Sequence, residues 1–209
     1  MNAYPAIGRR AIRASTRESA WQQFSVRVVR DLADYQMAVA IRAAAFMSEQ
    51  SCPFDEEYDG NDLTATHLLA FQGDRPVATL RLRWFAGFGK VERVCVLKQW
   101  RGSEVIKVLL AHAFEISARK GYRRMIAQIQ ARLWPVWSRM LNCSLREDRQ
   151  SFSFSDYDYR EIDIPLPAHP KALRPDTDPY VIIRPEGDWD RRGVLERSVT
   201  DEMKETKAA

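Results

Sequence analysis

The residues best placed for chemistry lie in one run, Val91-Glu-Arg-Val-Cys-Val-Leu-Lys-Gln-Trp-Arg-Gly-Ser103, followed directly by an amphipathic stretch. A strand that ends in a tight Arg-Gly turn and enters a helix aims unpaired backbone N–H groups and the positive end of the helix dipole at one spot. That spot suits a pyrophosphate, with Gln99, Arg101, Gly102 and Ser103 around it. Upstream, the segment from Glu49 to Asp62 is dense in carboxylates and turn formers and reads as an exposed loop. Its Glu49, Asp59 and Asp62 either bind a cationic amine or are simply solvated. His67, where a strand begins, reads as a half-buried structural histidine, and Cys95, between two valines, as a core thiol and not a nucleophile.

These residues need a scaffold, and the hydrophobic pattern supplies one. Ser25-Val-Arg-Val-Val29 alternates like a strand. From Asp31, a plausible N-cap, Leu32, Tyr35, Val39, Ala43 and Phe46 recur at helical spacing. His67–Phe71 and Val77–Phe85 form a hairpin across a five-residue connection holding Gly73 and Pro76, and Lys90–Leu97 follows as a third strand after Gly87 and Gly89. A helix is predicted from Ser103 to Lys120 with Gly121 as its stop. A strand over Met125–Ile129 and a helix over Ala131–Leu141, bent or begun late by Pro135, come next. Ser151–Ser155 and Tyr159–Ile164 read as strands, Pro165–Pro179 as extended or looped, and Tyr180–Arg184 as one more edge strand. The fold class is therefore α/β (α+β), a mixed, mostly antiparallel central sheet flanked by helices. Residues 1–24 read as a basic arm, 25–185 as the domain and 186–209 as a charged, solvated tail.

In this order of elements the Val91–Ser103 passage resembles the acyl-CoA-binding core of the GNAT acetyltransferases, in which a Gln/Arg-x-x-Gly-x-Gly/Ala turn cradles the pyrophosphate. Arg42-Ala-Ala-Ala-Phe-Met-Ser-Glu-Gln50, Pro53, Asp59, Asp62, Thr66–Ala70, Arg81-Leu82, Glu92-Arg93, Arg101-Gly102 and Ala127-Gln128 carry the likeness across residues 25 to 142. The Arg/Phe helix, acidic loop, Arg-Leu strand and Glu-x-x strand are also similar to N-acyl-homoserine lactone synthases and N-acyl amino acid synthases, relatives that draw on acyl carrier protein. The resemblance implies the GNAT fold and an N-acyltransferase that moves an acetyl or larger acyl group from acyl-CoA, acetyl-CoA included, to the primary amine of a small molecule. It also implies two alternatives, a synthase dependent on acyl carrier protein and a GNAT-like binding module without catalysis. The later glycine positions of the turn fall on Glu104 and Ile106, where a carboxylate repels phosphate unless it turns outward or pairs with Lys107.

Acyl transfer needs a neutral amine, a thioester carbonyl within reach and a proton for the departing thiolate. Glu92 is the candidate base, acting through water, and its alternative is a salt bridge with a neighbouring arginine. Backbone N–H groups of Val94 or Val96 are placed to polarise the thioester oxygen. Trp137 stands where many members carry a tyrosine acid, which leaves water, Tyr157 or Tyr159 for the proton. Arg42, Glu49, Asp59, Asp62, Arg81 and Gln128 are the candidates for holding the acceptor. Trp84, Phe85, Phe88, Trp134 and Trp137 line an acyl or aromatic pocket or pack the core.

Composition narrows the class. In 209 residues, 45% hydrophobic, there is enough to bury one sizeable core, and charged positions such as Arg42 and Lys107 interrupt every apolar run before it reaches membrane-spanning length. Arg9, Arg10, Arg13 and Arg17 precede no apolar block of the secretory kind. Cys52, Cys95 and Cys143 form no CxxC pair and no Cys/His spacing that suits zinc, so neither a disulfide framework nor a metal is expected, and a reducing cytoplasm fits. The net charge of +4 rests mostly on guanidinium, which favours phosphate-like partners and acidic acyl carrier protein over nucleic acid. A homodimer is compatible with the sequence.

Overall fold

The computed structural model describes residues 23–197. Its elements are β1 (Ser25–Val28), α1 (Leu32–Arg42), a widened π-type turn (Ala43–Ser48), α2 (Phe54–Glu57), β2 (Thr66–Gln72), β3 (Arg75–Phe85), β4 (Phe88–Val96), α3 (Val105–Arg119), β5 (Arg124–Gln130), α4 (Trp134–Met140), β6 (Ser144–Leu145), β7 (Phe152–Phe154), β8 (Tyr157–Pro165) and α5 (Pro179–Ile182). One sheet runs β1-β2-β3-β4-β5-β8-β6, with β7 on the same outer edge of β8 as β6. Every pairing is antiparallel except β4 with β5. The expected α/β fold with a mostly antiparallel sheet is the fold observed.

Strand alternation divides the core in two. Leu68, Leu80, Leu82, Met125, Ala127 and Ile162 point to one face and pack against Val105, Val108, Leu109 and Ala113 of α3. Leu69, Phe71 and Cys95 point to the other and meet Ala38, Ile41 and Ala45. Cys95 is core, as its sequence neighbours indicate, and burial pushes its thiol pKa up. The helix start at Asp31 is real: its carboxylate accepts from the Asp34 amide at 2.8 Å. Gly121 ends α3 with a φ of 90°.

Several expectations are corrected. The hairpin strands extend to Gln72 and from Arg75, so the turn is Gly73-Asp74 and Pro76 lies within β3 beside a bulge. Tyr180–Ile182 is helical, because Asp178 accepts from the Tyr180 amide and Pro179 occupies the first turn, a combination that overrides the β-branched run behind it. The segment after Glu186 is no solvated tail as far as Arg197. Trp189 is buried, Glu186 accepts from Thr66 and Lys120, and Asp188 pairs with Arg30 at 2.7 Å. The basic N-terminal arm, up to residue 22, and residues 198–209 lie outside the described residues. Phe24, the last residue assigned to that arm, is buried against Trp100. No helix among the described residues is long and apolar enough to cross a membrane.

Candidate active site

The site begins where β4 parts from β5. Gly89, Lys90 and Val91 pair with Met125, Ile126 and Ala127, and the parallel pairing then stops. A reason lies in β4 itself. Arg81 faces Glu92 and Thr79 faces Cys95, so Arg93 and Val94 together oppose Leu80 alone, a β-bulge that twists the strand away from its neighbour. Arg93 has a φ of 50°, a left-handed conformation that costs a residue with a Cβ about 1–2 kcal/mol. Its guanidinium donates to the Glu56 carbonyl and lies 3.2 Å from Asp59 and 3.4 Å from Glu57, contacts that hold the bulge in place.

Beyond the bulge, Cys95 faces β3, so strand alternation turns the N–H and C=O groups of Val94 and Val96 toward the gap. The Val96 carbonyl accepts from Arg101 Nε at 3.1 Å, and Arg101 Nη1 in turn lies 2.8 Å from Glu49. Gln99 sits exposed on the short 3-10 turn Lys98–Trp100. Gly102 has a φ of 83° with open space where a Cβ would stand, so backbone conformation and not crowding calls for glycine. Ser103 Oγ donates to the Trp100 carbonyl at 2.7 Å, closing the turn.

The turn fits an oxyanion. Among the described residues, nothing accepts from the backbone N–H groups of Gly102, Glu104 or Ile106 at the start of α3. Glu104 turns to Lys107 at 2.7 Å, which offsets its charge, and the Ile106 side chain packs against the core. The two residues that replace glycines therefore leave the amides uncovered.

Beneath the acidic loop lies a buried ion network. Arg42, wholly buried, donates to Glu57 at 2.5 Å, to Asp62 at 2.7 Å and to the Glu57 carbonyl. Arg81, also buried, donates to Asp59 at 2.6 and 2.8 Å, to Asp62 at 2.7 Å and to Glu92 at 2.6 and 2.9 Å. From sequence, Arg42, Arg81, Asp59 and Asp62 are acceptor ligands; in the fold they are committed to one another. The physical reason is that a buried guanidinium requires several carboxylate and carbonyl partners, and the loop comes inward to supply them. Burial pushes the Asp62 carboxyl up, but hydrogen bonds from Arg42 and Arg81 outweigh it and hold it below the usual range; Asp59 is lowered in the same way by Arg81.

Glu92 stands on the first unpaired level of the gap, beside Gln128, and both of its readings meet there. It is ion-paired, through Arg81 and through Lys90 at 2.7 Å, and it is near the opening. Burial raises its pKa, yet the bond from Lys90 and the charge of Arg81 hold it below the carboxylate norm, so it is ionised at neutral pH.

The chain does fold back over the gap. The β7–β8 hairpin turns at Ser155-Asp156 and docks on α2 through Ser155 Oγ, 2.5 Å from Glu56. Tyr157 lies beneath the Arg132 guanidinium, 5.3 Å from ring centre to charge. The Tyr159 hydroxyl is 3.4 Å from Gln130 Nε2, which donates at 2.8 Å to Gln50 from across the opening. Trp137 is buried in the core instead.

Glu161 and Arg146 escape sequence reading, although Gln128 beside them does not. Gln128 Nε2 reaches Glu161 at 3.3 Å, Glu161 pairs with Arg146 at 2.9 Å, and with Lys90 they border a groove of about 570 Å³ on the face that carries Glu92. The signal for Glu161 is its alternation with Tyr157 and Tyr159 along β8. Nothing in the sequence marks Arg146.

Comparison with known proteins agrees with this geometry. The model of the acetyltransferase (GNAT) family matches residues 34–140. The chain is 30% identical over 102 residues to an uncharacterized N-acetyltransferase, YjcF, of Bacillus subtilis, covering 49% of this chain and 73% of that protein. An acyl-CoA N-acyltransferase structure from Pseudomonas aeruginosa superposes with a TM-score of 0.61 at 21% identity, over 68% of this chain and 99% of the other. The N-acyl amino acid synthase FeeM from uncultured soil microbes gives 0.59 at 10% identity, over 83% of this chain and 97% of its own. At those identities the structural likenesses speak to the fold, while the family match covers about half of the sequence: the chain belongs to the GNAT acetyltransferase family.

Proposed function

We propose that the protein moves an acetyl or larger acyl group from acyl-CoA to the primary amine of a small molecule. The observation that carries this reading is the open level of β4 beside a turn whose Gly102, Glu104 and Ile106 amides have no acceptor among the described residues. The turn suits the donor's pyrophosphate, and the free edge at Val94 and Val96 suits its pantetheine arm and thioester oxygen. The amine nitrogen attacks the carbonyl carbon, a C–N bond forms and the C–S bond breaks. The amine's proton passes through water to Glu92, whose low pKa suffices because the nitrogen becomes strongly acidic as the bond forms. The thiolate takes its proton from Tyr159, from Tyr157 or from water.

A second reading, transfer from acyl carrier protein, is favoured by one observation. The likeness to an N-acyl amino acid synthase extends over a larger share of the chain than the likeness to the acyl-CoA enzyme. Thermal-shift measurement with acyl-CoAs and with acylated carrier proteins separates the two. Stabilisation by acyl-CoA at millimolar concentration is the expected result, stabilisation by carrier protein alone selects the second reading, and none by either leaves only a non-catalytic binding module.

A further inference from the structure

The groove beside Glu92 has a composition that goes beyond a generic amine site. Its floor carries an ion pair, Glu161 with Arg146 at 2.9 Å, and its rim carries Arg149, whose Nε stands 3.9 Å from Glu161 and from Asp148. Arg149 is more than half exposed, and those separations lie beyond hydrogen-bond reach, so its guanidinium is available to a ligand. The other lining cations are occupied: Lys90 by Glu92 at 2.7 Å, and Arg124 by Asp163 through two bonds of 2.7 Å. One end of the groove is apolar, formed by Ile126 and by the stacked rings of Phe85 and Phe88, 5.0 Å apart.

A carboxylate and a guanidinium in contact are the complement of an ammonium and a carboxylate joined by a short linkage. A ligand of that kind exchanges one ion pair for two and leaves neither protein charge unpaired. An amine without an acid group would take Glu161 and leave Arg146, in a partly buried site, with the exposed Asp148 at 3.0 Å as its remaining carboxylate. Position favours the same ligand. Glu161 is the register partner of Gln128, which lies on the first open level of the β4–β5 gap, next to Glu92. A nitrogen held at Glu161 therefore lies at the level where the β4–β5 gap opens, the side proposed for acyl transfer.

We propose that this groove is the acceptor site and that it takes a zwitterionic amino acid with an apolar or aromatic side chain. Its ammonium meets Glu161, its carboxylate meets Arg146 and Arg149, and its side chain runs along Ile126 to Phe85 and Phe88. The inference rests on the acyltransferase reading for the use of the site, but binding can be measured without turnover.

The test compares L-phenylalanine, phenethylamine and 3-phenylpropanoate as ligands by calorimetry, on the wild type and on Arg149→Ala and Glu161→Gln variants. Circular dichroism checks that each variant is folded. L-phenylalanine should bind at least about tenfold more tightly than either partial ligand, and each substitution should remove most of that advantage. Phenethylamine binding as tightly as L-phenylalanine, or an affinity unchanged in both variants, overturns the proposal. The two failures are separable. If other amines are acylated while L-phenylalanine neither binds nor reacts, the acceptor assignment falls and the acyltransferase stands. If L-phenylalanine binds through Arg149 but no acyl donor stabilises the protein, the reverse holds.

Discussion

Arg81 and Glu92 stand opposite one another in the β3–β4 register, and Nε and Nη2 of the arginine donate to the same carboxylate oxygen at 2.9 and 2.6 Å. The second oxygen faces Lys90. Glu92 is thereby fixed in direction and charge, which suits the role of base proposed for it. Replacement by glutamine keeps the shape and removes the proposed base. Turnover of Glu92→Gln should fall by about 10²-fold or more, while the thermal shift produced by acyl-CoA is retained. Unchanged turnover removes Glu92 from the mechanism.

Arg81 itself is a matter of stability. Arg81→Leu takes a shared guanidinium away from Asp59, Asp62 and Glu92 in a largely buried network, and it should cost about 3–5 kcal/mol in urea denaturation. Arg83→Leu, at a side chain about a quarter exposed and 3.7 Å from Glu92, should cost about 1 kcal/mol or less. Equal losses in the two variants would contradict the division of labour between the neighbouring arginines.

Acid should destabilise the protein. Asp59, Asp62 and Glu92 all have folded pKa values below their unfolded ones. The unfolded chain therefore binds protons first as the pH falls toward the ordinary carboxylate range near 4, and the stability these groups provide at neutral pH drains away as the pH falls through their folded values. His67, lowered by burial, adds a loss of the same sign that begins below about pH 6.5. Urea midpoints measured from pH 7 down to about pH 2.5 should decrease throughout, with the steepest part below about pH 4.

Arg101 spans the opening proposed for the donor, between the Val96 carbonyl and Glu49, and a donor arm that used Val96 would have to displace it. Glu49→Gln removes the exposed ion pair that holds Arg101 there, a contact worth about 0.2–1 kcal/mol, so acetyl-CoA affinity should rise by up to about fivefold. Glu104→Gln should also tighten binding, by removing a negative charge beside the turn. Calorimetric titration measures both, and weaker binding in Glu49→Gln would assign the glutamate to the donor site itself.

Much of this was legible in the sequence because it is written locally. The Asp31 cap, the period of α3, the Gly121 stop and the Arg-Gly turn depend on neighbours a few residues away, and they appear where the pattern places them. The acidic loop shows where local reading fails. Turn formers and carboxylates from Glu49 to Asp62 look solvated, yet Glu57, Asp59 and Asp62 are drawn inward by Arg42 and Arg81, from elements up to 22 residues away. The alternation Leu80-Arg81-Leu82 tells that Arg81 faces away from α3; what covers that face is set by tertiary packing. The bulge at Arg93 carries no glycine to announce it. Glu186 to Trp189 was hidden by the charge around it, although Trp189 is the kind of residue that seldom lies in a solvated tail.

β8 lies antiparallel against β5 along seven consecutive residue pairs, from Arg124 with Pro165 to Gln130 with Tyr159. The span that the family model recognises ends at residue 140, before β8 begins. A fragment cut to that span would expose the whole outer margin of β5, with unpaired backbone donors and acceptors beside Ile126 and Ile129. Such a margin recruits strands from other molecules. The recognisable half of this chain would therefore aggregate when expressed alone, and engineering that shortens it has to keep the returning hairpin.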